Sequence, residues 1–480
     1  MRISGWGLAL LLGTVAIPGS VGAQTLNEAL ARAYSNNPTL LAARAQLRAV
    51  DEQVPQALAG WRPSIVVASS YGHADVTNRL RPVTQTNPIT GQTTTVNPPG
   101  SVSVERAPIN ATATLSQPIF RGGRTVAQTR QAENAVLAQR AALLATEQQV
   151  LSDGVSAYIQ VIQQAELVRL NTNNEQVLNR QLQATNERFR VGEITRTDVA
   201  QAESRLAGAR ASRLQAEGNL QIARATFQRV VGEAPGRLTN PQPLRTPVRS
   251  AQEAQAQAVQ NNPNVVSALF SAAAARDNID VQISTLLPQL TANAQVFRQD
   301  NQVTRGVQQN GGQITANLTI PIFQGGAEHA AVRQARQQAQ LQIQQVDVQR
   351  RLAAQNAAQA WEQLQAARAS VDSVRAQIRA AEIALDGVQR EAIVGSRTTL
   401  DVLNAEQELL NARTSLVNAL ASVVTGSYSL AAAIGRLTAV DLGLPVEVYD
   451  MTAYYRAVRD RWIGLGDYSG VTRTSASAAR

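Results

Sequence analysis

The sequence predicts a mainly α-helical chain that also carries membrane-type β-strands, written as a duplicated helix–strand–strand–helix repeat. Three observations carry this: motifs that return at fixed spacing, helical stretches too long for a compact domain, and short segments of strict apolar/polar alternation.

The duplication organises everything else. Asn36-Asn37-Pro38 returns as Asn261-Asn262-Pro263, and Pro63 returns as Pro288 at the same offset. Pro118-Ile119-Phe120-Arg121-Gly122-Gly123 returns as Pro321-Ile322-Phe323-Gln324-Gly325-Gly326 at a shorter offset. Val191-Gly192 and Val394-Gly395 share that shorter offset, as do Tyr158 and Trp361. The offset changes once, so the first copy holds a longer loop, and Pro/Asn/Thr-rich residues 76–108 are the place for it.

In chain order, residues 1–23 read as a secretory signal. Arg2 precedes a short apolar run, and small residues end at Val21-Gly22-Ala23. The run is shorter than the ~20 apolar residues that a spanning helix needs. Cleavage would leave Gln24 first.

The first repeat follows over 24–245, with strands at 63–74 and 107–117 and helices at 124–190 and 197–231. Pro235, Pro241, Pro243 and Pro247 break the chain between copies. The second repeat occupies 246–437, with strands at 288–299 and 312–320 and helices at 327–394 and 398–435. A tail, 438–480, has no counterpart in the first copy.

The strands are read from period-two alternation. Ile314, Ala316, Leu318 and Ile320 alternate with Gln313, Thr315, Asn317 and Thr319. Leu290, Ala292, Ala294 and Val296 alternate with polar neighbours, and so do Ala111, Ala113 and Leu115. Such segments fit a membrane β-barrel and fit ordinary hairpins packed on a helix equally well. The helices tip the balance. No proline interrupts 124–190, a rod of roughly 100 Å. Its apolar residues form a narrow stripe, as in a coiled coil.

Composition narrows the function classes. Aromatics are only 4 %, Ala and Gln abound, and cysteine is absent, which excludes disulfides and a lipidated N-terminal Cys. The net charge of +9 comes entirely from Arg, scattered among Glu and Asp without a basic stripe, so no nucleic acid is expected. The apolar stretch 416–437 is broken by Ser422, Gly426, Ser427, Ser429 and Gly435, and reads as a packed helix. Four strands cannot close a barrel, and open edges cannot face lipid. Two chains would give a barrel filled by its own side chains, whereas three leave a lumen, so a homotrimer with one shared pore is expected.

These residues resemble the TolC family of outer-membrane factors over essentially the whole mature chain. The resemblance rests on the duplicated Asn-Asn-Pro, the duplicated Pro-Ile-Phe-x-Gly-Gly and the Val-Gly-x-x-Thr-x-x-Asp turns. The tail 437–445, followed by Tyr449-Asp450, is similar to that of members serving type I secretion or multidrug efflux. The resemblance implies a trimeric twelve-stranded barrel in outer-membrane lipid, continued by a periplasmic α-helical tunnel. It also implies a closed tip that docks on a periplasmic adaptor and an inner-membrane pump, either an ABC transporter or a proton-driven one.

Residue roles follow from the same resemblance. The turns 191–198 and 394–401 would form the periplasmic tip. Thr195-x-x-Asp198 and Thr398-x-x-Asp401 read as helix caps, which suffices for both acids. The resemblance adds a gate: Asp401 lines the constriction, while Arg397, Thr197 and Asp198 match positions linking neighbouring helix pairs. Asn404 stands where some members carry a second pore-facing acid, and Ala392 replaces a gate tyrosine, so a looser closed state is expected. Three Asp401 carboxylates about one axis would raise each other's pKa and favour cations. Val191, Gly192, Glu193, Ile194 and Thr195, with Val394, Gly395, Ser396 and Thr398, would meet the adaptor; a plain hairpin turn accounts for the glycines equally well. Pro118, Phe120, Gly122, Gly123, Pro321, Phe323, Gly325 and Gly326 mark the strand-to-helix junctions.

Enzyme readings find no anchor. His73 and His329 are isolated, no metal or cofactor pattern exists, no Lys is available for a phosphate loop, and no G-x-S-x-G occurs. The competing structural reading is a periplasmic coiled-coil spacer without a pore. It leaves the alternating strands unexplained, and release by osmotic shock rather than detergent would identify it.

Overall fold

The computed structural model describes residues 24–79, 82–96, 100–245, 247–466 and 468. The expected signal, 1–23, lies outside the described residues.

The first copy runs α1 (Leu26–Asn36), α2 (Pro38–Asp51), α3 (Gln53–Leu58), β1 (Ser64–Tyr71), β2 (Ala74–Asn78), β3 (Val83–Thr86), β4 (Thr93–Val96), β5 (Val102–Arg106), β6 (Ile109–Arg121), α4 (Arg124–Arg190) and α5 (Arg196–Val231). The second runs α6 (Ala251–Asn261), α7 (Pro263–Ile283), β7 (Gln289–Asp300), β8 (Gln308–Thr319), α8 (Ala327–Ile393) and α9 (Thr399–Ala433). A short α10 (Ala453–Val458) lies in the tail.

The repeated Asn-Pro explains how each copy is tied together. Asn37 ends α1, and its side chain caps α2 by accepting from Thr39 N at 2.9 Å, with Pro38 at the first helical position. Its Nδ2 donates to Val230 O at 3.0 Å, near the end of α5. Asn262 repeats this in the second copy, accepting from Asn264 N at 3.0 Å and donating to Ala433 O at 3.2 Å. One side chain thus sets a helix start and fastens the returning helix.

The rods α4 and α8 are each 67 residues long, roughly 100 Å. In α8 the buried Val332, Ala339, Val346, Ala353 and Ala360 fall on one seven-residue period and Ala357, Leu364 and Val371 on a second, with Ala335 buried beside them. Alanine at most of these places lets α8 and its neighbours approach closely along a narrow seam. Its partner α9 is, among the described helices, the one long and apolar enough to cross a membrane. It runs instead beside α8 and α4, with Leu430 and Tyr428 buried in the helical core.

The strands form one four-stranded antiparallel sheet in the order β1-β6-β7-β8. The two copies meet at β6–β7, where Leu115 faces Ala294 and Ala113 faces Val296. Across β1 and β8, Leu115 faces Ile65, Ala113 faces Val67 and Ala294 faces Ile314, giving one apolar face. The other face carries Thr114, Gln295 and Gln313, with Gln313 donating to Gln295 at 2.7 Å. β1 and β8 remain edges.

Three features depart from the sequence reading. Residues 76–108 are not a structureless loop: β2 pairs with β5 and β3 with β4, giving a hairpin arm. Its Val and Thr pairs, such as Val76 opposite Val104 and Thr84 opposite Thr95, override the Pro/Asn punctuation. β6 runs through Pro118 to Arg121 because the pairing shifts register between Pro118 and Phe120, as at a bulge. β8 starts at Gln308, ahead of its apolar alternation.

The tail folds back on the first copy. Leu437, Ala439 and Leu444 join the core of α1, α4 and α5. Arg44 lies 4.5 Å from the Tyr34 ring centroid and 5.1 Å from that of Tyr449. Tyr449 N donates to Tyr34 Oη at 3.1 Å, and Ala439 N donates to buried Glu147 at 2.8 Å.

Candidate functional site

The tip is built from two matching turns. At the end of α4, Gly192 N donates to Phe189 O at 2.9 Å and Glu193 N to Arg188 O at 3.0 Å. At the end of α8, Gly395 N donates to Ala392 O at 3.3 Å and Ser396 N to Glu391 O at 3.0 Å. Both pairs satisfy the last helical carbonyls, and both glycines sit at positive φ, +79° and +82°. The chain then re-enters a helix within a few residues. Val191 and Val394 are each 78 % exposed and Ile393 is 82 % exposed, an apolar end with nothing of this chain over it. Ile194 is half-buried beside them.

Each returning helix is closed by a reciprocal cap. Thr195 N and Oγ1 donate to Asp198 Oδ2 at 3.0 and 2.7 Å, and Asp198 N donates back to Thr195 Oγ1 at 3.4 Å. Thr398 and Asp401 repeat the box at 3.0, 2.8 and 3.2 Å. The Thr398 backbone N–H, then its hydroxyl, hold the Asp401 carboxyl below the usual carboxylate range. Asp198 is held low by the Thr195 hydroxyl and then its N–H. The chain's own hydrogen bonds thus act on Asp401 in the direction opposite to the mutual repulsion expected of three such acids.

The remaining expected gate residues separate into two groups. Arg397 Nε donates to Glu391 at 2.8 Å, within its own turn, and this pairing raises its pKa. Thr197 is exposed. Asn404, by contrast, joins the two helical hairpins: its Oδ1 accepts from Arg205 Nη2 of α5 at 2.9 Å. Beside that link, buried Leu403 of α9 packs with Leu178 of α4 and Leu206 and Ala209 of α5. Arg188, which pairs with the expected tip residue Glu193 at 2.5 Å, was not visible as a site residue in the sequence, and neither were Arg205 and Leu403. The repeat pattern aligns each with a helix face but says nothing of its opposite number on the other hairpin.

At the other end, Gly123 and Gly326 cap α4 and α8 where the strands turn into helices. A Cβ on Gly122 would lie 2.8 Å from Ser284 O and 2.7 Å from Leu287 Cβ, so a side chain is excluded where the first junction crosses the second copy. Phe120 is half exposed, and Phe323 is 82 % exposed. Pro118 sits in the β6 bulge and Pro321 just past β8, with Gly325 at positive φ. Among the described residues, no group of three or more His, Asp or Glu side chains could hold a metal ion.

A sheet with one apolar face, continued by rods of this length and ending in a capped polar-and-apolar tip, defines the subunit of an outer-membrane channel that reaches into the periplasm. Residues 29–233 and 255–436 match the family described as Outer membrane efflux protein, and the chain belongs to that family. It is 37 % identical over 457 residues to the Outer membrane efflux protein BepC of Brucella suis biovar 1, covering 95 % of each chain. It is 24 % identical to the Outer membrane protein TolC of Vibrio cholerae serotype O1, covering 90 % of this chain and 94 % of that one. Among solved structures, the CmeC outer membrane channel of Campylobacter jejuni superposes with a TM-score of 0.73 at 16 % identity, covering 91 % and 89 % of the two chains. The family is one of channel proteins, not enzymes.

Proposed function

We propose that three copies of this chain close into one barrel and one helical tunnel, forming the exit duct through which a pump expels small molecules or proteins across the outer membrane. The observation that carries this reading is the sheet. Its four strands have an apolar face for lipid, a polar face for a water-filled lumen, and two open edges, β1 and β8, left for neighbouring copies. Three copies supply twelve strands, enough for a lumen.

The tip is the natural gate and docking surface. Val191, Gly192, Glu193, Ile194 and Thr195 with Val394, Gly395, Ser396 and Thr398 offer exposed apolar side chains and close backbone approach to a periplasmic adaptor. Asn404 links the two helix pairs, Asp401, Arg397, Thr197 and Asp198 stand in the turns below it as the other gate residues of this reading, and a ring of Asp401 would select cations. The adaptor in turn couples the duct to an inner-membrane ABC or proton-driven pump, which selects the cargo. The division into a leader (1–23), two repeats (24–245 and 246–437) and a tail belongs to the same reading.

The test is single-channel conductance of purified trimers in a planar bilayer, wild type against Asp401→Ala. Discrete cation-selective openings that lose selectivity in the variant support both the pore and the gate. Openings indifferent to the change keep the pore and return Asp401 to helix capping. Silence that persists in Leu403→Ala and Arg205→Ala, which loosen the hairpin link, sinks the pore itself.

A further inference from the structure

Beyond the duct, the geometry points to a second lipid contact: the segment after α10 lies in the periplasmic leaflet of the outer membrane as an interfacial anchor, with Trp462, Ile463 and Leu465 at the acyl boundary and Arg62 and Arg461 at phospholipid phosphates. Nothing in the export reading calls for such a contact.

Three large apolar residues lie within four positions and are largely exposed. Trp462 is 67 % exposed, Ile463 92 % and Leu465 107 %. Single exposed apolar side chains are ordinary, but a run of three marks an interaction surface. Their position names the partner. Arg62 Nη1 donates to Arg461 O at 2.5 Å, and the Arg62 guanidinium lies 5.0 Å from the Trp462 ring centroid. Arg62 stands two residues before the strand β1, whose Ser64 pairs with Ser116 of β6. Trp61 O accepts from Gln117 Nε2 of β6 at 3.0 Å, which fixes this corner against the sheet. The segment is therefore held at the foot of the barrel, where strands give way to helices.

The apolar band continues from there without a gap in chemistry. Above it are Ile65 and Val67 of β1, 73 % and 76 % exposed, and at the same foot stands Trp61, 43 % exposed. Tryptophan beside arginine is the composition of a membrane–water interface: the ring takes the headgroup level and the cation takes phosphate. Residues 461–466 are not helical, so their backbone cannot enter hydrocarbon, and the headgroup layer is the depth that remains. Arg459 is engaged by Glu133 and Asp460, which leaves Arg62 and Arg461 to suit an anionic surface.

Tryptophan fluorescence tests this in full-length trimers reconstituted into phosphatidylcholine brominated midway along its acyl chain. Trp61→Phe/Trp361→Phe retains Trp462, and Trp61→Phe/Trp462→Phe retains Trp361. Trp361 packs among helices, roughly 50 Å along α8 from the junction, and serves as the distant reference. Any contribution from Trp6 is common to both variants. Bromine should quench the Trp462 protein at least about twofold more strongly than the Trp361 protein. Equal quenching would put the segment against solvent or a neighbouring subunit and overturn the proposal. Both variants keep aromatic rings at every changed site, and trimer bands on unheated gels confirm that the comparison is between folded proteins.

Discussion

Asp51 should make this protein less stable as pH rises through neutrality, and Asp51→Asn should abolish that dependence. The side chain ends α2 in a fully buried position, and neither carboxylate oxygen has a hydrogen-bond partner. Burial pushes its pKa from 3.8 up to about 7, against the attraction of Arg140, with Glu52 adding to the rise and Arg48 opposing it. The sign is that of an acid held neutral by the fold. Below about pH 4 both folded and unfolded chains carry the proton and nothing is lost. As pH rises toward 7 the unfolded chain ionises freely while the folded one resists, so stability falls; above about 8 the penalty is complete. Its size is on the order of 4 kcal/mol per chain, of which about 2.5 kcal/mol develops between pH 5 and pH 8. Guanidinium unfolding in detergent, followed by circular dichroism at both pH values, isolates the effect as wild type minus Asp51→Asn. Glu147, raised by burial, also titrates but is present in both proteins and cancels. A difference that stays constant within about 0.5 kcal/mol from pH 5 to pH 8 would show that the carboxylate is solvated or paired, and refute the reasoning.

Three further outcomes are expected. Asn262→Ala removes the cap on α7 and orphans Ala433 O, and should cost about 1–2 kcal/mol in the same unfolding assay, with Asn37→Ala costing a similar amount. Leu403→Ala should cost about 2–5 kcal/mol of local packing and lengthen channel open times, because it empties the contact between the two hairpins; unchanged open times would detach that cluster from gating. Gly435→Ala should be far more damaging than Gly395→Ala. Both glycines have φ of +82°, but only at Gly435 would a Cβ meet backbone, 2.5 Å from Asn261 O, and paired melting curves would settle the order.

Much of the fold could be read from single residues and their spacing. The absence of proline over 124–190 gave the long rod, and the alternation around Ile314 and Ala292 gave strands with one apolar face, which the rods tipped toward a membrane barrel. What escaped was written in contacts between distant residues. Arg44 between Tyr34 and Tyr449 binds the tail to the first copy; Tyr449 stood in the recognised tail, yet neither Arg44 nor Tyr34 stands in a motif. The arm β2–β5 was hidden because Pro and Asn advertise a loop, while the Val76–Val104 pairing that defeats them needs a partner far along the chain. At the tip, the caps at Asp198 and Asp401 were legible because Thr and Asp lie three residues apart. Arg205 and Asn404 were not legible as a pair, since they belong to different repeats.

The two outer strands of the sheet come from different copies of the repeat, β1 from the first and β8 from the second. A closed trimer therefore joins β8 of each chain to β1 of the next, a head-to-tail contact repeated around the ring. Such a ring has no partly functional form. One chain whose β8 cannot pair leaves an open seam, and the other two, however sound, enclose nothing. In a cell making sound and seam-defective chains in equal amounts, about one trimer in eight would be wholly sound. Alleles that spoil either outer strand should accordingly behave as dominant, whereas alleles that merely unfold the monomer should be recessive.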